Sequence, residues 1–126
     1  MTNQKSINNL KDFRGKKLHL TGITGVGMTA IAQLLGNLGA RVSGSDTGED
    51  FFTVEVLKKL GIPIKRNFSG SNLAEDEIII SSAAYLTPDS DNPEIKEARK
   101  RSLPILSYPE ILAMFFRENF GVAVAG

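Results

Sequence analysis

Two rhythms alternate along the chain between Lys17 and Ser107. Short, nearly unbroken apolar runs give way to longer stretches in which apolar residues return every three or four positions. KLHLTG is the first run, a short strand ending in glycine; after it Met28, Ile31, Leu34, Leu35 and Leu38 share one face of a helix. Gly39 is placed to stop that helix in a left-handed conformation, and ARVSGSD reads as a second strand. FFTVEVLKKLG repeats the helical rhythm, with Phe52, Val56, Leu57 and Leu60 on one face, before the strand IPIKR. EIIISS is apolar without alternation, the pattern of a strand covered on both faces. NPEIKEARKRS is a charged amphipathic helix that Asn92 can cap and Pro93 can open. LPILS, the helix PEILAMFFREN and a last buried-strand pattern, FGVAVAG, complete the chain.

Alternation of strand and helix with short connections predicts an α/β fold. Helices would cover both faces of a mainly parallel sheet of about five strands, a three-layer α/β/α arrangement with right-handed crossovers. Residues 1–16 are polar and read as an arm, with Leu10 and Phe13 its only anchors. Residues 17–107 form the predicted domain, and 108–126 a helix and strand leading onward.

The chemistry concentrates in LTGITGVGMTAIA, where Gly22, Gly25 and Gly27 separate the first strand from the first helix. In a parallel α/β sheet, ligands sit beyond the carboxyl ends of the strands, where strand order reverses. Glycines there let the backbone approach an anion, and the first N–H groups of the helix point at it. The spacing is not the G-x-G-x-x-G of dinucleotide sites, so a tight turn without a ligand stays open. Asp46 ends the second strand nineteen residues after Gly27, near the distance of a carboxylate that accepts a ribose hydroxyl. An Asx turn or helix cap in SDTGED is its competing role. SSAA, Ser81 to Ala84, ends the fourth strand with small side chains that leave room for a sugar or phosphate, or simply close a strand. Together these features point to a nucleotide with a pyrophosphate, without choosing which one.

Composition narrows the classes. The 126 residues suffice for one core, and 15 basic against 14 acidic residues give no electrostatic case for nucleic acid or a membrane surface. Without cysteine there is neither a disulfide scaffold nor a thiolate metal site. No apolar stretch reaches membrane-spanning length, and the amino-terminal residues lack a signal-peptide core, so a cytoplasmic location is the default. His19, the sole histidine, is expected as a packed or hydrogen-bonded strand residue. Clusters such as Glu49/Asp50, Glu75/Asp76/Glu77 and Asp89/Asp91 read as solvated surface. Met114, Phe115 and Phe116 fit either the core or a docking face.

HLTGITGVGMTAIAQLL, GSD, SSAAYLTPDSDNPEI, IPILSYPEIL and VAVAG, taken together, resemble the amino-terminal part of the Mur ligases. Within that family the resemblance is to the branch that adds L-alanine to a sugar nucleotide in peptidoglycan synthesis; the recycling branch, which adds a tripeptide, is its nearest neighbour. The resemblance implies a Rossmann-like domain that binds the UDP portion of UDP-N-acetylmuramic acid and no nicotinamide cofactor. It places the turn of Gly22, Ile23, Thr24, Gly25, Val26, Gly27 and Met28 against the pyrophosphate. Ser45 and Asp46 would face the uridine end, and Ser81, Ser82 and Ala83 the other wall. Where many relatives carry a Gly-His pair after the third strand, this chain has Asn67 and Phe68.

In the family, AVAG leads into a lysine-bearing phosphate loop that holds ATP and Mg²⁺, with which the substrate carboxylate becomes an acyl phosphate. The sequence ends at Gly126, so the expectation is a binding domain that lacks the central and carboxy-terminal ligase domains and is inactive alone. No metal site or catalytic residue is expected within it. Two other readings remain: a nicotinamide-dinucleotide domain of regulatory or oxidoreductase type, and an interaction domain with a vestigial pocket.

Overall fold

The computed structural model describes residues 7–48, 51–75 and 77–118. Apolar runs become five parallel strands: β1 (Lys17–Thr21), β2 (Arg41–Ser45), β3 (Ile64–Lys65), β4 (Ile78–Ser81) and β5 (Ile105–Ser107). Their order in the sheet is β3-β2-β1-β4-β5. The chain builds outward from β1 to β3, then returns to the other side of β1 for β4 and β5. Strand order therefore reverses between β1 and β4. The periodic stretches become α1 (Val26–Asn37), α2 (Phe51–Lys59), α3 (Pro93–Lys100) and α4 (Tyr108–Arg117). Gly39 has φ +98° and ends α1 as the sequence predicts.

Alternation along β1 assigns the two faces of the sheet. Leu18 and Leu20, with Ile78 and Ile80 of β4, pack under α1 and α4 through Ile31, Leu35, Ile111 and Phe115, and Leu57 of α2 joins the same core. Ile79 of β4 points the other way, onto Ile95 and Ala98 of α3. Helices thus lie on both faces, in three layers. Leu10 and Phe13, on a 3₁₀ turn at Leu10–Phe13, are buried in the α1/α4 core. Arg117 of α4 donates to the Asn8 carbonyl at 3.1 Å, and the Leu10 N–H donates to the Glu118 carboxylate at 3.1 Å. The segment from Ile7 onward is therefore held against α4.

One connection departs from the strand–helix alternation, and other sequence expectations turn out differently or fall outside view. Among its described residues the connection from β3 to β4 carries no α-helix, only a 3₁₀ turn at Gly70–Asn72; RNFSGSNLAEDE has no apolar period from which a helix could bury a face. Phe52 and Leu60, placed by periodicity on the buried face of α2, are exposed; Leu57 of that face is buried as expected, and Thr53 is buried with it. That helix lies toward the β3 edge, where a two-residue strand offers little surface to cover. The FGVAVAG strand, the first six residues of the arm, and Glu49, Asp50 and Asp76 lie outside the described residues. Among the described residues no helix is long and apolar enough to cross a membrane.

Candidate functional site

The glycine turn sits at the carboxyl end of β1, beside the point where strand order reverses. Gly22 takes φ +88°, a conformation other residues rarely adopt, and its N–H donates to the Ser45 carbonyl at 2.9 Å. The Ile23 N–H donates to the same carbonyl at 3.1 Å, and the Ile23 side chain is fully buried over Gly44. Thr24 gives both its N–H (2.9 Å) and its hydroxyl (2.6 Å) to Oδ2 of Asp46. Oδ1 of Asp46 accepts the N–H groups of Thr47 at 2.8 Å and Gly48 at 3.3 Å. These four donors match the about four lone-pair positions of a carboxylate. Asp46 forms the Asx turn that competed with the ribose role in the sequence, and it also locks the glycine turn to the end of β2.

Gly25 is the N-cap of α1, and no side chain caps this helix. By contrast Asn92 caps α3, and Ser107 with Glu110 forms a capping box on α4. Gly25 has φ −61° and ψ 147°, which any residue adopts, and a Cβ there would meet nothing nearer than the Gly22 carbonyl at 3.6 Å. Neither backbone nor packing requires a glycine at this position. Gly27 differs: a Cβ there would lie 2.7 Å from the Tyr108 hydroxyl, so its small size lets α1 pack against the start of α4.

The remaining candidates divide by exposure. Gly25 and Val26 are exposed, Val26 at 75%, and Gly22, Gly27 and Ser82 are half-buried beside an exposed Ala83. These keep solvent-accessible surface around the glycine turn. Ile23, Thr24, Met28, Ser45 and Ser81 are buried and support it. Ser81 donates its hydroxyl to the Ser82 carbonyl at 3.0 Å. Aromatic side chains flank the turn: Tyr85 lies against Gly22 and meets Phe68 edge-to-face, with ring centroids 5.4 Å apart. Burial, and then the Asp46 charge, pushes the Tyr85 phenol above its usual range, so it stays protonated as a donor. Arg66 donates to the Gly48 carbonyl at 2.7 Å and ties the β3 exit to the Asp46 loop.

Sequence reasoning missed the residue beneath this site. Glu94 opens α3 with no exposed surface, and its carboxylate accepts from His19, Thr21, Ser45, Ser69 and Asn72. Burial works against its charge, but the bonds from His19, Ser45 and Asn72 outweigh burial and hold its carboxyl at about 2. His19 is the buried, hydrogen-bonded strand histidine expected, with Nε2 2.9 Å from Glu94 and 3.1 Å from the Ser45 hydroxyl. The signal available was the row of polar residues His19, Thr21, Ser43 and Ser45 inside strands otherwise read as buried. Such a row needs a polar partner on the facing helix.

Comparison with known proteins agrees with this architecture. Residues 17–119 match the Mur ligase family, catalytic domain. A UDP-N-acetylmuramate–L-alanine ligase of Treponema pallidum (strain Nichols) is 44% identical over 117 residues, 92% of this chain and 24% of that protein. The ligase of the same name from Bdellovibrio bacteriovorus is 42% identical over 110 residues, 87% of this chain and 23% of that protein. A crystal structure of UDP-N-acetylmuramate:L-alanyl-gamma-D-glutamyl-meso-diaminopimelate ligase from Neisseria meningitides shares the fold, with a TM-score of 0.68 at 24% identity. It covers 79% of this chain and 30% of that one. A murein peptide ligase from Psychrobacter arcticus 273-4 superposes with the same TM-score of 0.68 at 25% identity, over 79% of this chain and 20% of its own. The chain spans about a quarter of the length of the curated relatives it matches. With a family match over nearly the whole described sheet and relatives above 40% identity, the chain belongs to the Mur ligase family.

Proposed function

We propose that this chain is the sugar-nucleotide-binding part of an alanine-adding ligase and that its glycine turn receives the diphosphate of UDP-N-acetylmuramic acid. The names of the relatives support the substrate, and one structural observation carries the assignment to the turn. Gly25 is a glycine that the protein's own backbone and packing do not require, at the uncapped start of a helix. A bare N-cap leaves first-turn N–H groups open to an anion, and the helix dipole favours negative charge there. Asp46 and Ser45 hold the turn in shape, while Gly22, Gly25, Val26, Gly27, Ser82 and Ala83, which keep solvent-accessible surface, would face the ligand. In the whole enzyme, ATP and Mg²⁺ would serve carboxylate activation at a lysine-bearing phosphate loop, a motif absent from these 126 residues.

Calorimetric titration with UDP, UDP-N-acetylmuramic acid and NADH tests the reading. The sugar nucleotide is expected to bind most tightly, and Gly25→Val to bind none of it while keeping the parent's circular dichroism. A folded parent with no response to millimolar UDP-N-acetylmuramic acid defeats the assignment. Preference for NADH would instead support a nicotinamide-dinucleotide domain.

A further inference from the structure

The two oxygens of Glu94 serve different walls of the site. Oε1 accepts from His19 Nε2 at 2.9 Å, the Thr21 hydroxyl at 2.8 Å and the Ser45 hydroxyl at 2.6 Å. Thr21 immediately precedes Gly22, and the Ser45 carbonyl holds the N–H groups of Gly22 and Ile23. This oxygen therefore grips the strand ends that carry the glycine turn. Oε2 accepts the Ser69 N–H at 3.1 Å and the Asn72 side-chain amide at 2.7 Å. The same amide donates to the Asn67 carbonyl at 2.9 Å, so these bonds hold the crossover on both sides of Phe68. Phe68 packs on Tyr85, which lies against Gly22.

We propose that Glu94 is a positioning residue of the nucleotide site, a single buried carboxylate that sets the separation between the glycine turn and the Phe68–Tyr85 wall. The proposal rests on the sugar-nucleotide reading above. All five groups facing Glu94 can donate, and an ionised carboxylate, which only accepts, satisfies them all. Glutamine would turn an NH₂ group toward one of the two sets and leave its donors without an acceptor in a buried place. Such a change would loosen one wall relative to the other.

The experiment combines Glu94→Gln with Asn72→Ala, Ser45→Ala and a control, Ile95→Val, which trims the core beside Glu94 on the same helix. Amide NMR shifts and UDP-N-acetylmuramic acid affinity are read on each folded variant. Asn72→Ala is expected to move the amides of Phe68 and Ser69, and Ser45→Ala those of Gly22 and Ile23. Each should weaken binding, and Glu94→Gln should weaken it at least about tenfold, the scale of one charge-assisted hydrogen bond. Ile95→Val is expected to lower the thermal midpoint and leave affinity unchanged. Parent-like affinity in folded Glu94→Gln, or a loss no larger than that of Ile95→Val, overturns the proposal. If Glu94→Gln does not fold, parent-like affinity in both single-arm variants overturns it. A parent that binds no sugar nucleotide defeats the proposed function, and the amide shifts alone then decide whether Glu94 holds both walls.

Discussion

Gly25 and Gly44 are both small, for opposite reasons. A Cβ on Gly44 would lie 2.6 Å from the Leu20 carbonyl and 2.7 Å from the Ile23 Cβ, so β2 can approach the turn only without a side chain. Gly44→Ala is therefore expected to destabilise the fold by about 1–3 kcal/mol, the usual cost of overpacking, in urea or thermal unfolding. At Gly25 the protein itself leaves space, and the consequence of filling it should appear in binding. Asp46 combines the two kinds of role, because its four accepted bonds shape the turn that would hold the ligand. Asp46→Ala is expected to weaken UDP-sugar binding by about 1–3 kcal/mol. Unchanged affinity in a folded variant would remove Asp46 from the site.

At the scale of elements the helix starts differ in whether a side chain caps them. Ser107 and Glu110 close α4 on itself, and Pro109 fits its first turn. Ser107→Ala should cost about 0.5–2 kcal/mol of stability, measured by urea denaturation, without touching affinity. At α1 the opposite experiment is informative. Gly25→Asp would supply the missing cap and a negative charge at the helix start, so stability should hold or rise by a few tenths of a kcal/mol. The same carboxylate would occupy the N–H groups proposed to receive the diphosphate, and calorimetry should show binding lost. Stability kept and binding lost in one variant distinguishes a ligand-directed helix start from an ordinary turn.

For the molecule as a whole, the Glu94 cluster joins β1, β2, the β3–β4 crossover and α3 through one charge. Its carboxyl is held at about 2 in the folded chain, below the ordinary 4.5. A depressed folded value contributes stability that is fully present above the unfolded value and lost as pH falls through the folded one. Unfolding free energy should therefore fall as pH drops from about 4.5 to about 2, and Glu94→Gln should lack that component of the acid loss. Urea titrations of both proteins across that range check it.

Local periodicity by itself determined the described strands and α-helices, because the spacing that buries one face is written in neighbouring residues. It also placed the Gly39 stop, the Asn92 cap and the glycine turn between β1 and α1, each a short-range property of the backbone. Nearness of Asp46 to that turn was legible too, since a strand–helix–strand unit returns the chain beside its start. Only the tertiary structure decided which end-of-strand residues stay accessible: Ser45 and Ser81 are buried and Ser82 is half-buried, and that depends on sheet register. It alone exposed Phe52, because the surface available to α2 is set by the length and edge position of β3. Above all it buried Glu94 against His19, 75 residues earlier in the chain. A glutamate in a charged helix looks solvated until strand order sets that helix over a row of polar side chains, and pairing between strands so far apart has no local signature.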